Sequence, residues 1–297
     1  MDWQIPRGEL TESDKLIGQG NFGIVYKTVW RGTLVAIKKF HDSDNHTITI
    51  LEEFKNMALL HHPNIIQTLG YIENPFGIVM EYIDGLDLSM LIKRHPRIKS
   101  KVRLSLMRQL LCAIAYLHRR KPEMLIHRDI KPTNIIINMK SMHLKLGDFG
   151  ISKFVKEKTN SNLELNKIDI DEYKMTQNVG TLRYMAPEVY DISNPSNYTY
   201  KVDIWSTAMV FYMLWENYEP LIPYINSDIK VYQYRQLLCN GIRPIFNRTP
   251  IAIQQIIIQG WDINDKKRPN ALDWLNQLGN IKRYLMYDIK IALMIAF

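Results

Sequence analysis

The chain has 297 residues, enough for one large domain or two closely joined lobes, and its 46% hydrophobic and 23% charged residues exclude a disordered or fibrous protein. Its two cysteines, Cys112 and Cys239, offer neither a disulfide framework nor a metal-ligand spacing, so we expect an intracellular, cytoplasmic setting. The net charge is +8, and no nucleic-acid motif accompanies the densest basic stretch at 93–103. We interpret that stretch as a solvated face rather than a nucleic-acid site.

The first part of the chain, up to about residue 82, is predicted to consist mainly of strands. Runs rich in Val, Ile, Tyr and Thr at 24–30 and 34–40 flank a short Arg-Gly-Thr turn, which is typical of a β-hairpin. Apolar residues at helical spacing then predict a helix over 50–60. Residues 71–82 predict two further short strands around an Asn-Pro turn.

The second part is predicted to be mostly helical, with the boundary at residues 82–87. Helical periodicity is strongest at 104–118 and 202–215. The polar stretch 156–178 has no periodicity, which indicates a long loop that is functional or disordered. Residues 284–297 are apolar but too few to span a bilayer, so we predict a helix lying on the domain, with membrane or partner contact as the alternative.

The first motif that carries chemistry is Gly18-Gln19-Gly20-Asn21-Phe22-Gly23. In a dinucleotide-binding fold, the same glycine spacing would be followed by a helix and by an acidic residue about 20 positions on. Because a β-hairpin is predicted here instead, we interpret the motif as a glycine flap whose backbone N–H groups approach phosphates. A glycine-rich turn without a ligand is the alternative.

A lysine on the second strand of the predicted hairpin is the next candidate. Lys38 ends the run Val-Ala-Ile-Lys and can neutralise phosphate oxygens if a carboxylate holds it in place. Glu53, on the following predicted helix, is our candidate for that carboxylate. Its neighbour Glu52 is the nearest competitor, but the apolar stripe of the helix favours Glu53 on the inward face. Two unrelated surface charges are the alternative.

The strongest chemical signal comes from residues 127–134 (His-Arg-Asp-Ile-Lys-Pro-Thr-Asn) and from the Asp-Phe-Gly run that starts at Asp148. Phosphoryl transfer needs positioning, charge neutralisation and a proton acceptor. Asp129 can accept the proton of a substrate hydroxyl, and Lys131 can steady the transferred phosphate. Asn134 and Asp148 supply oxygen ligands of the kind that Mg²⁺ prefers.

With these motifs in this order, the chain resembles the eukaryotic protein kinase family. The resemblance implies an α+β, bilobal protein-kinase fold, with a small, mainly antiparallel β N-lobe that contains one key helix and a larger, mainly α C-lobe. The kinase domain would cover residues 12–279, with the N-lobe at about 12–82 and the C-lobe at about 87–279. A C-terminal tail at 280–297 would follow.

The resemblance also implies a function: a Ser/Thr protein kinase that transfers the γ-phosphate of ATP to protein hydroxyls. The implied catalytic residues are Asp129 as the base, Lys131, Lys38 and Glu53, and the implied metal ligands are Asn134 and Asp148. ATP and Mg²⁺, for which Mn²⁺ can substitute, are the implied cofactors, and protein Ser/Thr residues are the implied substrates. The alternatives are a pseudokinase-type ATP-binding scaffold, which would be marked by lost catalytic residues, and a dual-specificity or tyrosine kinase.

A nucleotide pocket follows from the same resemblance. Met80 would be the gatekeeper at the back of the pocket, residues 81–83 the hinge, and Asp87 the ribose contact. The implied nucleotide-binding residues are Ile17, Gly18, Gln19, Gly20, Asn21, Phe22, Gly23, Val25, Ala36, Lys38, Met80, Glu81, Ile83, Asp87 and Ile136.

Several residues refine the resemblance. Lys131, which precedes a proline, and Thr181 are similar to the Ser/Thr branch of the family. The opening segment 3–10 and the hairpin residues 30–33 resemble the tyrosine-kinase-like group (Raf and mixed-lineage type). The family pattern also implies an activation loop that is phosphorylated, with Thr176 as our first choice of site.

Residues outside the pocket have implied supporting roles. Asp203 would support the catalytic loop, and Arg268 would pair with Glu188. Thr68 departs from the family pattern, because a large apolar residue usually lies at this place in the spine that links the lobes. We expect a polar residue there to weaken the active arrangement.

Overall fold

The computed structural model describes residues 3–11, 15–20, 23–40, 54–55, 57–73, 75–156, 183–190, 199–220 and 231–281. Several predictions lie outside these residues: the roles of Asn21, Phe22, Glu53, Thr176 and Thr181, most of the loop predicted at 156–178, and the helix predicted at 284–297.

An antiparallel sheet of five strands forms the first lobe, in the order β1-β2-β3-β5-β4. The strands are β1 (Lys15–Gly20), β2 (Gly23–Trp30), β3 (Thr33–Lys39), β4 (Thr68–Ile72) and β5 (Gly77–Glu81). The predicted hairpin is confirmed, with a tighter turn than expected. Arg31 and Gly32 both have positive φ, 47° and 79°, which is the geometry of a two-residue hairpin turn, so Thr33 already belongs to the strand.

Helical residues at 54, 55, 57 and 58, which we call α1, lie between β3 and β4, as the apolar spacing predicts. Phe54, Met57 and Ala58 of this helix are buried in the main core. The helix therefore packs its apolar face into the main core. It belongs to the same lobe as Lys38, which contributes to the site.

The second lobe is mainly helical. Its helices are α2 (Leu88–Arg94), α3 (Ser100–His118), α4 (Lys201–Glu216), α5 (Val231–Cys239), α6 (Ile251–Gly260) and α7 (271–281). Residues 202–216 of α4 are all buried, which its almost continuous apolar sequence explains, because a helix that is hydrophobic on every side belongs in a core. α3 begins one turn earlier than the periodicity predicts, at Ser100.

Two small sheets of the second lobe position the segments that contain the site residues. The strands are β6 (Gly85–Asp87), β7 (Glu123–Ile126), β8 (Ile135–Asn138), β9 (Leu144–Leu146) and β10 (Lys153–Lys156). β6, β8 and β9 form one sheet, and β7 pairs with β10. The segments that follow β7 and β9 contain Asp129 and Asp148, so these short strands bring the two carboxylates to the same place.

The architecture confirms the predicted α+β fold, with an antiparallel strand lobe followed by a helical lobe. A single large apolar cluster extends from Ala36 and Met80 in the sheet to Trp205 and Trp274 in the helical lobe. Within the described ranges, no helix combines the length and apolar character needed to cross a membrane.

Candidate active site

Three polar residues meet in the loop between β7 and β8. Lys131 Nζ lies 2.6 Å from Asp129 Oδ2, and Asn134 Nδ2 donates to the same oxygen at 2.9 Å and to the Asp129 carbonyl at 2.8 Å. Asp129 Oδ1 has no hydrogen-bond partner among the described residues. One carboxylate oxygen is thus held in place by two donors.

The environment of Asp129 changes its acidity. Its residue is only 4% exposed, and burial raises the pKa of its carboxyl above the ordinary value. The Lys131 ammonium opposes this shift, and the charge of Asp148 adds to it. The raised pKa makes Asp129 a better proton acceptor than an exposed aspartate, since basicity rises with pKa.

A buried aspartate on α4 holds this loop from behind. Asp203 Oδ2 accepts the backbone N–H of His127 at 2.9 Å, and Oδ1 accepts that of Arg128 at 2.8 Å. His118, at the end of α3, donates from Nε2 to Asp203 Oδ2 at 2.8 Å. Arg128 has a φ of 68°, which is unfavourable for a residue other than glycine, so these hydrogen bonds stabilise a strained backbone directly before Asp129.

His127 connects the catalytic loop to the segment that contains Asp148. Its Nε2 lies 3.0 Å from the Gly147 carbonyl, and its Nδ1 lies 3.3 Å from the Asp129 backbone nitrogen. Burial lowers the pKa of His127, although the Asp203 and Asp129 charges oppose the shift. The imidazole is therefore neutral, donating from Nε2 and accepting at Nδ1, which fixes the two segments relative to each other.

Lys38 and Asp148 come together from opposite lobes. Lys38 Nζ, on β3, donates to Asp148 Oδ1 at 3.0 Å. Burial acts to raise the pKa of Asp148, but the charge and hydrogen bond of Lys38 outweigh it and hold that pKa below its ordinary value. Asp148 also has a positive φ of 60°, which turns its backbone sharply after β9. The predicted partner of Lys38, Glu53, lies outside the described residues.

The donor set fits a magnesium ion. Asn134 donates through Nδ2, and neither its Oδ1 nor Asp148 Oδ2 has a hydrogen-bond partner in the described part of the chain. Amide and carboxylate oxygens are ligands that Mg²⁺ favours, usually completed by water and substrate phosphates. Among the described residues, no group of three or more His, Cys, Asp or Glu side chains could hold a metal ion.

The register of the sheet places the predicted nucleotide residues side by side. Val25 on β2 pairs with Lys38, and Ala36 on β3 pairs with Met80 on β5. Gly18 lies over Val25, since an added Cβ would be 3.8 Å from the Val25 Cβ. These pairings put the glycine motif, the lysine strand and the predicted gatekeeper on neighbouring strands of one sheet.

The structure explains why one residue of the glycine motif must be a glycine. Gly23 has a φ of 152°, and a Cβ at this position would collide with the Lys39 carbonyl. It is therefore required by the close approach of β2 to β3. Gly20 pairs with Gly23, and a role at phosphates stays a prediction for Gly20 and for its neighbour Gln19.

Further predicted pocket residues lie on both sides of the hinge. Ile17 on β1 is 43% exposed, and Ile83 is half-buried. Asp87 Oδ1 accepts the Met90 N–H at 2.8 Å as the N-cap of α2, and Ile136 on β8 pairs with Asp87. The predicted ribose contact therefore has a structural role as well.

Glu81 shows a contact that the sequence does not predict. Its Oε1 lies 2.6 Å from Lys145 Nζ and accepts the Gln67 N–H at 2.7 Å. The Glu81 carboxylate is thus engaged in an ion pair that joins the sheet of the first lobe to β9 of the second. Lys145 is a polar residue in an alternating strand, and nothing in its local sequence indicates this partner 64 positions away.

Below the catalytic loop, Arg268 forms a two-pronged ion pair with Glu188. The Nη1–Oε1 and Nη2–Oε2 distances are 2.6 and 2.9 Å, and the Arg268 side chain is fully buried. Its guanidinium also lies 5.0 Å from the centre of the Trp205 ring. This arrangement fixes the segment around Glu188 to the core of the helical lobe.

Thr68 is buried on β4 opposite Met80, at 1% exposure. Its hydroxyl has no hydrogen-bond partner among the described residues. A buried hydroxyl without a partner lowers stability, because its lost hydration is not replaced. The unpaired hydroxyl is thus a cost to fold stability, and the expectation that a polar residue here weakens the active arrangement stays a prediction.

Comparison with known proteins gives one family. A family model described as "Protein kinase domain" matches residues 11–278. The serine/threonine-protein kinase VIK of Arabidopsis thaliana is 36% identical over 298 residues, which cover 97% of this chain and 64% of the plant protein.

Two animal relatives are similar over nearly the same region. Mitogen-activated protein kinase kinase kinase 7 of Homo sapiens is 29% identical over 277 residues, covering 92% of this chain and 42% of the human protein. The protein of the same name from Drosophila melanogaster is 33% identical over 269 residues, covering 88% of this chain and 36% of the fly protein. The chain therefore spans between 36% and 64% of the length of these three relatives.

Proposed function

Because this chain belongs to the protein kinase domain family, we propose that it is a protein serine/threonine kinase that transfers the γ-phosphate of ATP to protein hydroxyls. Proteins of this family use ATP and Mg²⁺. The name of the Arabidopsis relative, a serine/threonine-protein kinase, supports the Ser/Thr assignment over the tyrosine alternative. The presence of Asp129, Lys38 and Asp148 argues against the pseudokinase alternative.

One observation carries the proposal. Asp129 Oδ2 is held by Lys131 and Asn134, while Oδ1 is free of hydrogen bonds within the described residues and its carboxyl has a raised pKa. In the proposed reaction, the substrate oxygen forms a bond to the γ-phosphorus as the bond from that phosphorus to the β-bridging oxygen breaks. The hydroxyl proton passes to Asp129, and ADP leaves with the electron pair of the broken bond.

The remaining residues would position the substrates and neutralise the charge of the phosphates. Lys38, held by Asp148, would contact the non-transferred phosphates, and Lys131 would contact the transferred one. Asn134 and Asp148 would hold Mg²⁺, which supplies charge neutralisation at the phosphate oxygens. Val25, Ala36, Met80 and Ile136 would enclose the adenine. These roles rest on the geometry above and on the family resemblance, and we place them in a catalytic domain at residues 12–279.

The test is Asp129→Asn, which keeps the shape and removes the basic oxygen. We expect kcat to fall by about 10²–10⁴-fold while ATP binding, measured by calorimetry, is retained. Asp84→Asn is the matched control, because the Asp84 side chain is 69% exposed and lies outside the catalytic loop. Phosphoamino-acid analysis of a labelled protein substrate is expected to give phosphoserine and phosphothreonine. Near wild-type turnover by the Asp129 variant would refute the assignment of the base.

A further inference from the structure

The region around α2 and α3 has an unusual charge. Residues 88–122 contain ten lysines and arginines and no aspartate or glutamate, whereas the chain as a whole has 30 acidic residues in 297. Five of the ten lie close together between the end of α2 and the start of α3, and all five are exposed. We call them the basic surface: Lys93, Arg94, Arg97, Lys99 and Lys101.

The backbone that carries the basic surface is held firmly. Arg103 is buried at 6% exposure, and its guanidinium donates to the carbonyls of Ile98 at 2.9 Å and Pro96 at 3.2 Å, and to that of Leu214 at the end of α4. Asn217 Nδ2 donates to the Pro96 carbonyl at 2.9 Å. The exposed cations are thus displayed from a fixed turn, so a ligand would not have to order it.

Nothing inside the described part of the chain neutralises these charges. None of the five side chains forms an ion pair with a described carboxylate. Glu216, in the neighbouring helix, already accepts the N–H groups of Arg248 and Thr249 and the Thr249 hydroxyl. Burial, and then the positive charge of Arg248, lower the pKa of the neighbouring Arg103.

Helix dipoles explain only part of the pattern. Lys93 and Arg94 occupy the last turn of α2, where cations are favourable. Lys99 and Lys101 instead lie at the start of α3, which has no acidic residue in its first turn and no side-chain cap, so their charges are unfavourable for the helix. An external anion would relieve that repulsion.

The chemistry of the surface selects among anionic partners. Residues 88–115 contain no Phe, Tyr or Trp on which nucleic-acid bases could stack. None of the strongly exposed large apolar side chains falls in residues 88–122, so nothing there would insert into a lipid surface. An extended acidic peptide needs neither feature, since it binds through charge and backbone alone.

The basic surface starts at the C-terminal end of α2, a helix whose other end meets the proposed active site. α2 starts at its N-cap Asp87, the proposed ribose contact, and packs against the turn Pro132–Asn134 that follows Asp129. We propose that the basic surface is a docking site for acidic segments of the protein substrates. This inference rests on the proposed kinase function, since that function defines the substrates. Binding of the acidic segment itself does not depend on phosphate transfer.

Binding is tested first without catalysis. The probe is a fluorescein-labelled peptide of eight glutamates, and its anisotropy is measured with the full chain. Arg97→Glu with Lys99→Glu is expected to weaken binding at least roughly tenfold, because each exposed charge pair contributes modestly and two are reversed. The matched control is Lys266→Glu with Lys267→Glu, which makes the same charge change at exposed positions of the helical lobe and is expected to leave binding within about twofold of wild type. Equal loss in both double variants would overturn the proposal.

Catalysis gives the second measurement. A Ser/Thr peptide is compared with the same peptide extended by a glutamate tail, and the Arg97/Lys99 double variant is expected to raise KM for the tailed peptide alone. Arg97→Gln with Lys99→Gln, which only removes the charges, is expected to show a smaller effect of the same kind. If wild type transfers no phosphate but the anisotropy loss is specific, the kinase proposal fails and the docking surface stands. Tighter, Arg97/Lys99-dependent binding of a single-stranded oligonucleotide or of phosphatidylserine vesicles would assign the surface to that ligand and overturn the peptide proposal.

Discussion

Replacement of Asp203 is expected to loosen the catalytic loop and destabilise the fold together. Asp203→Ala leaves the backbone N–H groups of His127 and Arg128 buried without an acceptor, and it removes the partner of His118. An unpaired buried donor costs about 1–3 kcal/mol, and breaking a buried charged interaction costs about 3–5 kcal/mol. We therefore expect the free energy of unfolding to fall by about 4 kcal/mol.

Thermal unfolding measures this loss directly. A change of 1 kcal/mol shifts Tm by about 2 °C in a chain of this size, so the expected decrease for Asp203→Ala is roughly 8 °C. Asp203→Asn keeps one acceptor oxygen and is expected to lose about half as much. Because a displacement of about 1 Å at a catalytic group can cost about 10²-fold in rate, kcat of the Asn variant is expected to fall by a similar factor. A Tm for Asp203→Ala within about 1 °C of wild type, with the exposed Asp84→Asn as control, would show that Asp203 does not hold the loop.

The pH dependence gives an independent check. Burial acts to raise the pKa of Asp203, but the hydrogen bond from His118 and the one from the His127 backbone N–H hold it below its ordinary value. A carboxyl whose pKa is lowered in the folded state stabilises the fold above the unfolded pKa of about 3.9 and loses that contribution as the pH falls through the folded pKa. The stability difference between wild type and Asp203→Asn is therefore expected to be constant from about pH 7 to 5 and to shrink below about pH 4. A difference that grows on acidification contradicts this reasoning.

Four further predictions follow from the site. Lys38→Met is expected to lower kcat/KM by about 10²-fold or more, because it removes the charge that we propose contacts phosphate, while the neighbouring Lys39→Met stays close to wild type in the same assay. Glu188→Gln leaves a fully buried arginine without its counter-charge and is expected to cost about 3–5 kcal/mol in urea unfolding; no change in midpoint would mean that the pair adds nothing. Thr68→Val replaces an unpaired hydroxyl by a methyl group and is expected to raise Tm by roughly 2 °C, whereas a lowered Tm would reveal a partner for the hydroxyl. Because the pKa of Asp129 is raised, kcat is expected to decrease on acidification at a pH above about 3.9, and a pH–rate profile flat down to that value would contradict the raised pKa.

Local signals were enough to predict the strand lobe, the long helices and the residue types of the site. Alternating β-branched runs predict the hairpin, and a continuous apolar sequence predicts α4. Residues adjacent in sequence decide both patterns. The motif that contains Asp129 and the Asp-Phe-Gly run at Asp148 likewise carry their chemistry in consecutive residues. Their family resemblance then implied the pairing of Glu188 with Arg268, which the structure shows as two hydrogen bonds.

The contacts that hold the site together join residues distant in sequence, and only the folded chain reveals them. His118 meets Asp203 across 85 positions, and Lys145 meets Glu81 across 64. No periodicity or spacing rule links such pairs, because the packing of α3 on α4 and of β9 near β5 decides their distance. The pKa shifts of Asp129 and Asp148 have the same origin. Both residues are aspartates in catalytic motifs, yet burial raises one pKa and the Lys38 ammonium, brought from the other lobe, lowers the other. The sequence by itself determined which groups are present, and the tertiary structure decided their electrostatic environment, since that depends on distances the sequence does not contain.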